Sequence, residues 1–499
     1  MSDYDVIVIG AGCGGLSAGS QLARKGFKTI VIEQSDMVGG CCSTFEAQGY
    51  RFDLGASLIE DVEVINWCFE RLGTTVYDEV ELVECDPIYS VILKDGTTIT
   101  YPLSSEHTAR EIGQIAPGDV MGWLKYGAYM QGFMDAALNG FFLAPGNTLA
   151  DTIKMFAKTP ALLKYGPLFI SSYQDIIEKY FKDPRIRESI GYQSFFGGLP
   201  PELCPGYIAM IPWSEHAGIY YSKGGMIGIP DALKRLGEKS GMQLKLNTDV
   251  KRVIVSNGRA AGVELQDGTE ITSALVISDI NSKTLYLDLI GEEHLPWLAR
   301  IGIKSYEYSM ATPMLYLGVD YEPPLAGHHT ITTLPMDELN DFWWKDYNKG
   351  RFPIEQYSII SWSSGSSEGM APDGHHVIVI TLAPGAYRLE GKNWDQIKPE
   401  LTQNIIDHLS KRCIPGLKDH VKYADFASPP DFEKRLKSPE GAIYALRQDL
   451  PSSLVFRPAA RSKSIKKLYL VGASTHPGGG VPTTIASGMI AADLIDKYE

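Results

Sequence analysis

Positive charge is in short supply in this chain. Its 46 lysines and arginines stand against 60 aspartates and glutamates, leaving a formal net charge of -14. No basic field is available to hold a phosphate backbone, so nucleic acid is not an expected partner. Cysteine is sparse too: Cys13, Cys41, Cys42, Cys68, Cys85, Cys204 and Cys413 make an odd set of seven. None has Cys-x-x-Cys or Cys/His spacing, which speaks for a reducing compartment and against a structural zinc. His328-His329 and His375-His376 lack a third ligand at helical spacing, so no metal is expected. No run approaches the roughly 18 to 20 apolar residues that span a bilayer. The first apolar run begins within six residues of the N-terminus with no basic segment before it, so no cleavable signal is expected. The expected location is cytoplasmic, either soluble or peripheral at a membrane surface. Internal repeats and low-complexity segments are absent. So are a carboxylate pair, a Ser/His/Asp arrangement and an HExxH motif.

What is present is apolar and glycine-rich. A chain of 499 residues, 44% of them hydrophobic, is too long for one layer system and points to two interleaved domains. Residues 5–9 read as a buried β-branched strand, followed by Gly10-Ala11-Gly12-Cys13-Gly14-Gly15 and an apolar helix ending near Lys25-Gly26. Gly10 permits the tight turn, Gly12 lets a pyrophosphate approach the backbone, and Gly15 lets helix and strand pack closely. The helix N-terminus then faces the phosphates. A second buried strand at 29–32 ends on Glu33, where a carboxylate can accept both ribose hydroxyls of a dinucleotide. This fingerprint fits NAD or FAD.

The residues beyond Glu33 favour FAD. Gly39-Gly40-Cys41-Cys42-Ser43 resembles the double-glycine loop of the amine oxidase and carotenoid desaturase superfamily, except that Cys41 stands where an arginine is usual. A charged contact to the cofactor is therefore either missing or supplied from elsewhere. The adjacent Cys41 and Cys42 read as two small buried residues in a cofactor loop rather than as a vicinal disulfide. Gly49-Tyr50-Arg51-Phe52-Asp53-Leu54-Gly55 resembles the segment that leads toward the flavin ring. At the far end, a strand at 467–471 enters Gly472-Ala473-Ser474-Thr475-His476-Pro477-Gly478-Gly479-Gly480-Val481-Pro482 and a helix over about 483–497, with Pro482 suited to a first helical turn. A helix N-terminus there can stabilise negative charge on a reduced flavin.

Together with Gly441-Ala442-Ile443-Tyr444, Phe456-Arg457-Pro458 and Tyr221-Ser222-Lys223-Gly224-Gly225-Met226, these blocks resemble the phytoene desaturase group of carotenoid desaturases and isomerases. The resemblance implies an α/β fold: a discontinuous Rossmann-like FAD-binding domain (1–60, 205–285, 440–499) with an inserted α+β substrate-binding domain (61–204, 286–439). It implies FAD contacts from Gly10, Ala11, Gly12, Gly14, Gly15, Glu33, Gln34, Gly39, Gly40, Cys41 and Ser43, from the Val250 backbone at the adenine, and from Gly472, Ala473, Val481, Pro482 and Thr483.

The implied reaction is desaturation of a long apolar polyisoprenoid, such as a carotenoid precursor. A hydride passes to flavin N5, and oxygen or a quinone reoxidises the cofactor. A flavin-dependent cis–trans isomerase or saturase is the alternative; an amine oxidase or a non-catalytic prenyl-binding protein of the GDP-dissociation inhibitor type fits less well. His476 is the one histidine nominated for proton handling. Phe141-Phe142-Leu143, Phe195-Phe196 and Phe342-Trp343-Trp344 are candidates for the substrate path. Leu162-Leu163-Lys164-Tyr165 and Pro167-Leu168-Phe169-Ile170, near Lys154 and Lys158, form a candidate membrane-facing segment. A hairpin is expected over 89–101 about Asp95-Gly96, a three-stranded meander over 253–277, helices over 150–165 and 172–181 with Ser172 as N-cap, and a loop over 361–367.

Overall fold

Tyr4–Ile9 is the central strand of a parallel sheet, and its last four residues, Val6, Ile7, Val8 and Ile9, are buried. A β-branched run buried on both faces is what the middle of such a sheet requires. It pairs in parallel with Thr29–Ile32 on one side and with Glu270–Ser278 on the other. Gln243–Lys245 and Leu468–Leu470 extend the sheet in the same direction. The expected meander is present, with strands Val250–Ser256, Arg259–Leu265 and Glu270–Ser278. Its third strand pairs antiparallel with Arg259–Leu265 through residues 270–272, then joins the parallel sheet. The structure is a computed structural model describing residues 2–137, 153–154, 157–449, 452–453 and 456–499.

Helix Cys13–Arg24 follows the first glycine turn and packs on Val481–Tyr498 and Gly228–Lys239. The first crossing is close because Gly488 has no side chain: a Cβ there would lie 2.6 Å from the Gly14 carbonyl oxygen. The last helix starts two residues before the expected position 483, with Pro482 in its first turn.

A second, mixed sheet takes its strands from other parts of the chain. Its order is Val421–Ala427, Met314–Val319, His376–Leu382, Ser358–Ser361, His329–Thr332, Tyr89–Ile92 and Thr98–Tyr101. The last two form the expected hairpin, which joins the sheet by parallel pairing with His329–Thr332. One face packs Leu315, Leu317, Ile378 and Ile380 under helix Trp394–Arg412. The other packs Met314, Tyr316, Val377 and Val379 against Tyr50, Phe52 and Leu54.

Helix Tyr173–Tyr180 has the Ser172 cap, completed into a reciprocal capping box by Asp175. Within the stretch expected to be helical over 150–165, Pro160–Tyr165 is a 3-10 turn, because Pro160 opens it and Gly166-Pro167 interrupts it; residues 150–152 and 155–156 lie outside the described residues. The serine-rich stretch expected as a loop contains one helical turn, Ser363–Ser366, in which the Gly365 N–H donates to the Trp362 carbonyl.

Candidate active site

At the end of the second strand, Glu33 is fixed by two backbone amides. Its Oε2 accepts from the Ala11 N–H at 2.7 Å and its Oε1 from the Ser35 N–H at 2.9 Å. Each oxygen keeps a further lone pair for a hydroxyl. The Thr248 N–H donates to the Glu33 carbonyl at 2.8 Å, and the Asn247 N–H to that of Ser35 at 2.9 Å. These bonds bring Val250 beside Glu33 and Gln34 on the wall of one cavity of about 680 Å³.

The two glycine turns, which lie at opposite ends of the sequence, meet at Asp279. Its carboxyl accepts backbone N–H bonds from Gly15, at 2.9 Å, and from Gly12. Burial raises this carboxyl to about 7. A Cβ on Gly14 would lie 2.6 Å from the Gly472 nitrogen, and one on Gly472 (φ +79°) would lie 2.0 Å from Asp279 Oδ1. A Cβ on Gly15 would stand 2.1 Å from the Gly10 carbonyl oxygen, the close helix–strand contact its position demands. Side chains at these points would force the two turns and Asp279 apart, and the bare glycine backbone that their absence leaves along the cavity fits a pyrophosphate. Gly10, Gly12 and Gly14 line the cavity, while Ala11, Gly15 and Gly472 form the layer behind it.

Gly39, Gly40, Cys41, Cys42 and Ser43 line the same wall. All seven cysteines are free thiols. Cys42 lies against Cys13 and points its thiol at the Met226 carbonyl, at 3.4 Å, and burial pushes the Cys41 thiol up to about 11. Arg435, on helix Pro429–Leu436, lines the cavity and acts electrostatically on Cys41. The sequence does not single out Arg435, because no motif surrounds it.

Two further blocks have structural roles. Asp53 is buried and accepts from Thr44 Oγ1 (2.7 Å), the Met226 N–H (2.8 Å) and the Tyr221 hydroxyl (2.6 Å), tying the segment at 49–55 to the one at 221–226. Arg457 is 4% exposed and donates to the carbonyls of Ala473 (2.5 Å), Ser452 (3.1 Å), Arg447 (3.3 Å) and Tyr444 (3.5 Å). Burial lowers its guanidinium to about 10, still charged at neutral pH. It therefore clamps the loop that carries Ala473, which with Gly479, Gly480, Val481, Pro482 and Thr484 lines the cavity. Thr483 is outside the lining and donates its hydroxyl to the Gly480 carbonyl at 3.0 Å.

A large part of the remaining wall is apolar and aromatic: Tyr89, Tyr192, Phe195, Phe196, Ile211, Ile331, Tyr357 and Tyr444. Of the aromatic runs nominated from sequence, Phe195-Phe196 is on the wall. Phe342 and Trp343 sit behind it, against Phe195, and Trp344 is half exposed. Phe141-Phe142-Leu143 lies outside the described residues. His476 is 3% exposed and not among the lining residues.

The carboxylate pair not visible in the sequence is made by the fold. Glu60 and Glu215 both line the cavity and act on one another electrostatically. Burial raises Glu60 to about 8, with Asp61 adding to it, and holds Glu215 well above the usual carboxyl range. Gln193 Nε2 donates to Glu215 Oε2 at 3.0 Å and to the Tyr89 hydroxyl at 2.7 Å.

A family model described as flavin containing amine oxidoreductase matches residues 13–496. A neurosporene-forming phytoene desaturase from Cereibacter sphaeroides is 28% identical over 506 residues, covering 99% of this chain and 95% of that protein. A lycopene-forming phytoene desaturase from Pseudescherichia vulneris is 28% identical over 493 residues, covering 98% of each. Among solved structures, a putrescine oxidase bound to putrescine superposes with a TM-score of 0.65 at 15% identity, covering 99% of each chain, which shows a shared fold.

Proposed function

The chain belongs to the flavin-containing amine oxidoreductase family, and from that premise we propose that it is an FAD-dependent desaturase of a long apolar polyisoprenoid of the carotenoid-precursor class. The observation that carries the reading is the single cavity that joins both glycine turns to a wall of Tyr192, Phe195, Phe196, Ile331 and Tyr357. The end-to-end similarity to phytoene desaturases supports the same substrate class.

In this reading Glu33 and Val250 hold the adenosine end of FAD. The N-terminus of helix Cys13–Arg24, with Arg435, faces the pyrophosphate, and Ala473, Val481 and Pro482 border the ring. When bound, the flavin supplies a hydride acceptor at N5. The aromatic wall positions the chain and excludes water, while the N-terminus of helix Val481–Tyr498 stabilises negative charge beside it. Oxygen or a quinone would serve as the electron acceptor. Ile153, Leu163 and Ile170 are 60%, 70% and 86% exposed beside Lys154, Lys158 and Lys164, which supports substrate collection at a membrane surface. Among the described residues no helix is long and apolar enough to cross a membrane.

The competing isomerase reading is tested by incubating the protein anaerobically with a cis-polyene, with flavin either oxidised or pre-reduced. Desaturation requires the oxidised form and consumes it. Turnover by the pre-reduced form without flavin reoxidation favours isomerisation.

A further inference from the structure

One part of the cavity wall is polar without being charged. Glu60 and Glu215 face it with no ion-pair partner among the described residues. In an apolar enclosure with no compensating cation, two neighbouring carboxyls hold their protons, and at neutral pH they are donors as well as acceptors. Burial also keeps His329 neutral. This histidine is 1% exposed and lines the cavity; its Nε2 lies 3.3 Å from Ser57 Oγ, whereas its Nδ1 has no hydrogen-bond partner. Gln193, fully buried behind Glu215, likewise has an unpartnered Oε1.

Glu215 already accepts from Gln193, but a hydrocarbon laid against this wall offers nothing to His329 Nδ1 or to the carboxyl protons that face the cavity, and each buried hydrogen bond left unmade opposes binding. An ammonium ion would require the carboxyls to ionise inside the cavity. An alcohol or carbonyl oxygen matches the set as it stands.

We propose that Glu60, Glu215 and His329 form a subsite for an uncharged oxygen function, so that the preferred substrate is an oxygenated polyisoprenoid rather than a pure hydrocarbon. This rests on the polyisoprenoid reading above. It adds a specificity that apolar packing alone does not supply, since a site built to hydrogen-bond a hydroxyl discriminates strongly against the analogue lacking it.

The test uses the FAD-loaded full chain under anaerobic conditions and three probes: phytoene, the same skeleton bearing one hydroxyl, and the same skeleton bearing a primary amine. Dissociation constants are read from the perturbation of the flavin spectrum. The hydroxylated probe should bind at least about tenfold more tightly than phytoene, the worth of one good buried hydrogen bond. Glu215→Leu and His329→Leu should reduce that preference to about twofold or less, while Glu60→Gln and Glu215→Gln, whose amides still donate and accept, keep most of it. FAD stoichiometry and melting temperature establish that each variant folds, and the wild-type comparison of probes needs no variant. Equal or tighter binding of phytoene overturns the subsite and leaves the desaturase reading standing. So does preference for the amine with loss of binding in the Gln variants. If no probe perturbs the flavin, the polyisoprenoid reading fails and the subsite with it.

Discussion

The carboxyl of Asp279 accepts the backbone N–H of Gly15 at 2.9 Å, across 264 residues of sequence. The contact fastens the end of strand Glu270–Ser278 to the first turn of helix Cys13–Arg24, beside the cavity wall to which Gly12, Gly14 and Asp279 itself contribute. With a carboxyl raised to about 7 by burial, Asp279 is part protonated at neutral pH, and a bound pyrophosphate favours its protonated form. FAD affinity should therefore fall as pH rises above about 7, by up to about tenfold per pH unit for one linked proton. Fluorescence titration of the apoprotein with FAD at several pH values measures this. Asp279→Asn should flatten the dependence; an unchanged slope in that variant would exclude the linkage.

Arg435 carries a second prediction about cofactor loading. It lines the cavity and acts electrostatically on Cys41, the residue that stands where the double-glycine loop usually carries an arginine. Removing a charge-assisted contact to phosphate costs roughly 1.5–3 kcal/mol, so Arg435→Ala should weaken FAD binding at least about tenfold. It should also make that binding less sensitive to salt. Equal affinity in wild type and variant would show that Arg435 does not meet the phosphates.

Acid titration of the apoprotein supplies a third. Glu60, at about 8, and Asp279, at about 7, are both raised in the folded state above ordinary carboxyl values. Groups of this kind bind protons more tightly folded than unfolded. Their contribution is complete below the unfolded values near pH 4 and is lost as pH rises through about 7 to 8. The melting temperature of the apoprotein should decline between about pH 5 and pH 8. The double variant Glu60→Gln with Asp279→Asn should show a smaller decline, measured by calorimetry; an identical decline would remove these two groups as its source.

Membrane contact is tested at Leu163 and Ile170, the most exposed apolar residues among the described residues of the lysine-flanked segment. Leu163→Ser with Ile170→Ser should reduce cosedimentation with anionic vesicles several-fold and leave the melting temperature unchanged, since neither side chain is buried. Undiminished cosedimentation would place the contact elsewhere.

What could be read from the sequence rests on local signals. The strand at 29–32, the glycine turn at 10–15, the Ser172 cap and the hairpin about Asp95-Gly96 each depend on residues a few positions apart. Arg457 was visible as part of a motif, yet its role was not, since the carbonyls of Ala473 and Tyr444 converge on it only after folding. Asp279 and Arg435 carry no local mark in a chain with 60 acidic and 46 basic residues. The Glu60–Glu215 pair is likewise a tertiary product: a sequence holds no record of two side chains facing one cavity. The aromatic runs illustrate the same limit. Phe195-Phe196 and Phe342-Trp343 are alike in composition, and one forms the wall while the other supports it from behind. His476 was nominated for its place in the flavin-proximal loop, but the loop turns its side chain into the interior, outside the lining.

The most direct test is anaerobic mixing of the FAD-loaded protein with a polyisoprenoid precursor such as phytoene, following the flavin spectrum and the mass of the extracted product together. A polyisoprenoid desaturase gives stoichiometric bleaching of the oxidised flavin, a product lighter by two hydrogens for each flavin reduced, and recovery of the yellow colour when oxygen or a quinone is admitted. Bleaching by amines but not by any polyisoprenoid, or a product of unchanged mass, would contradict the desaturase reading.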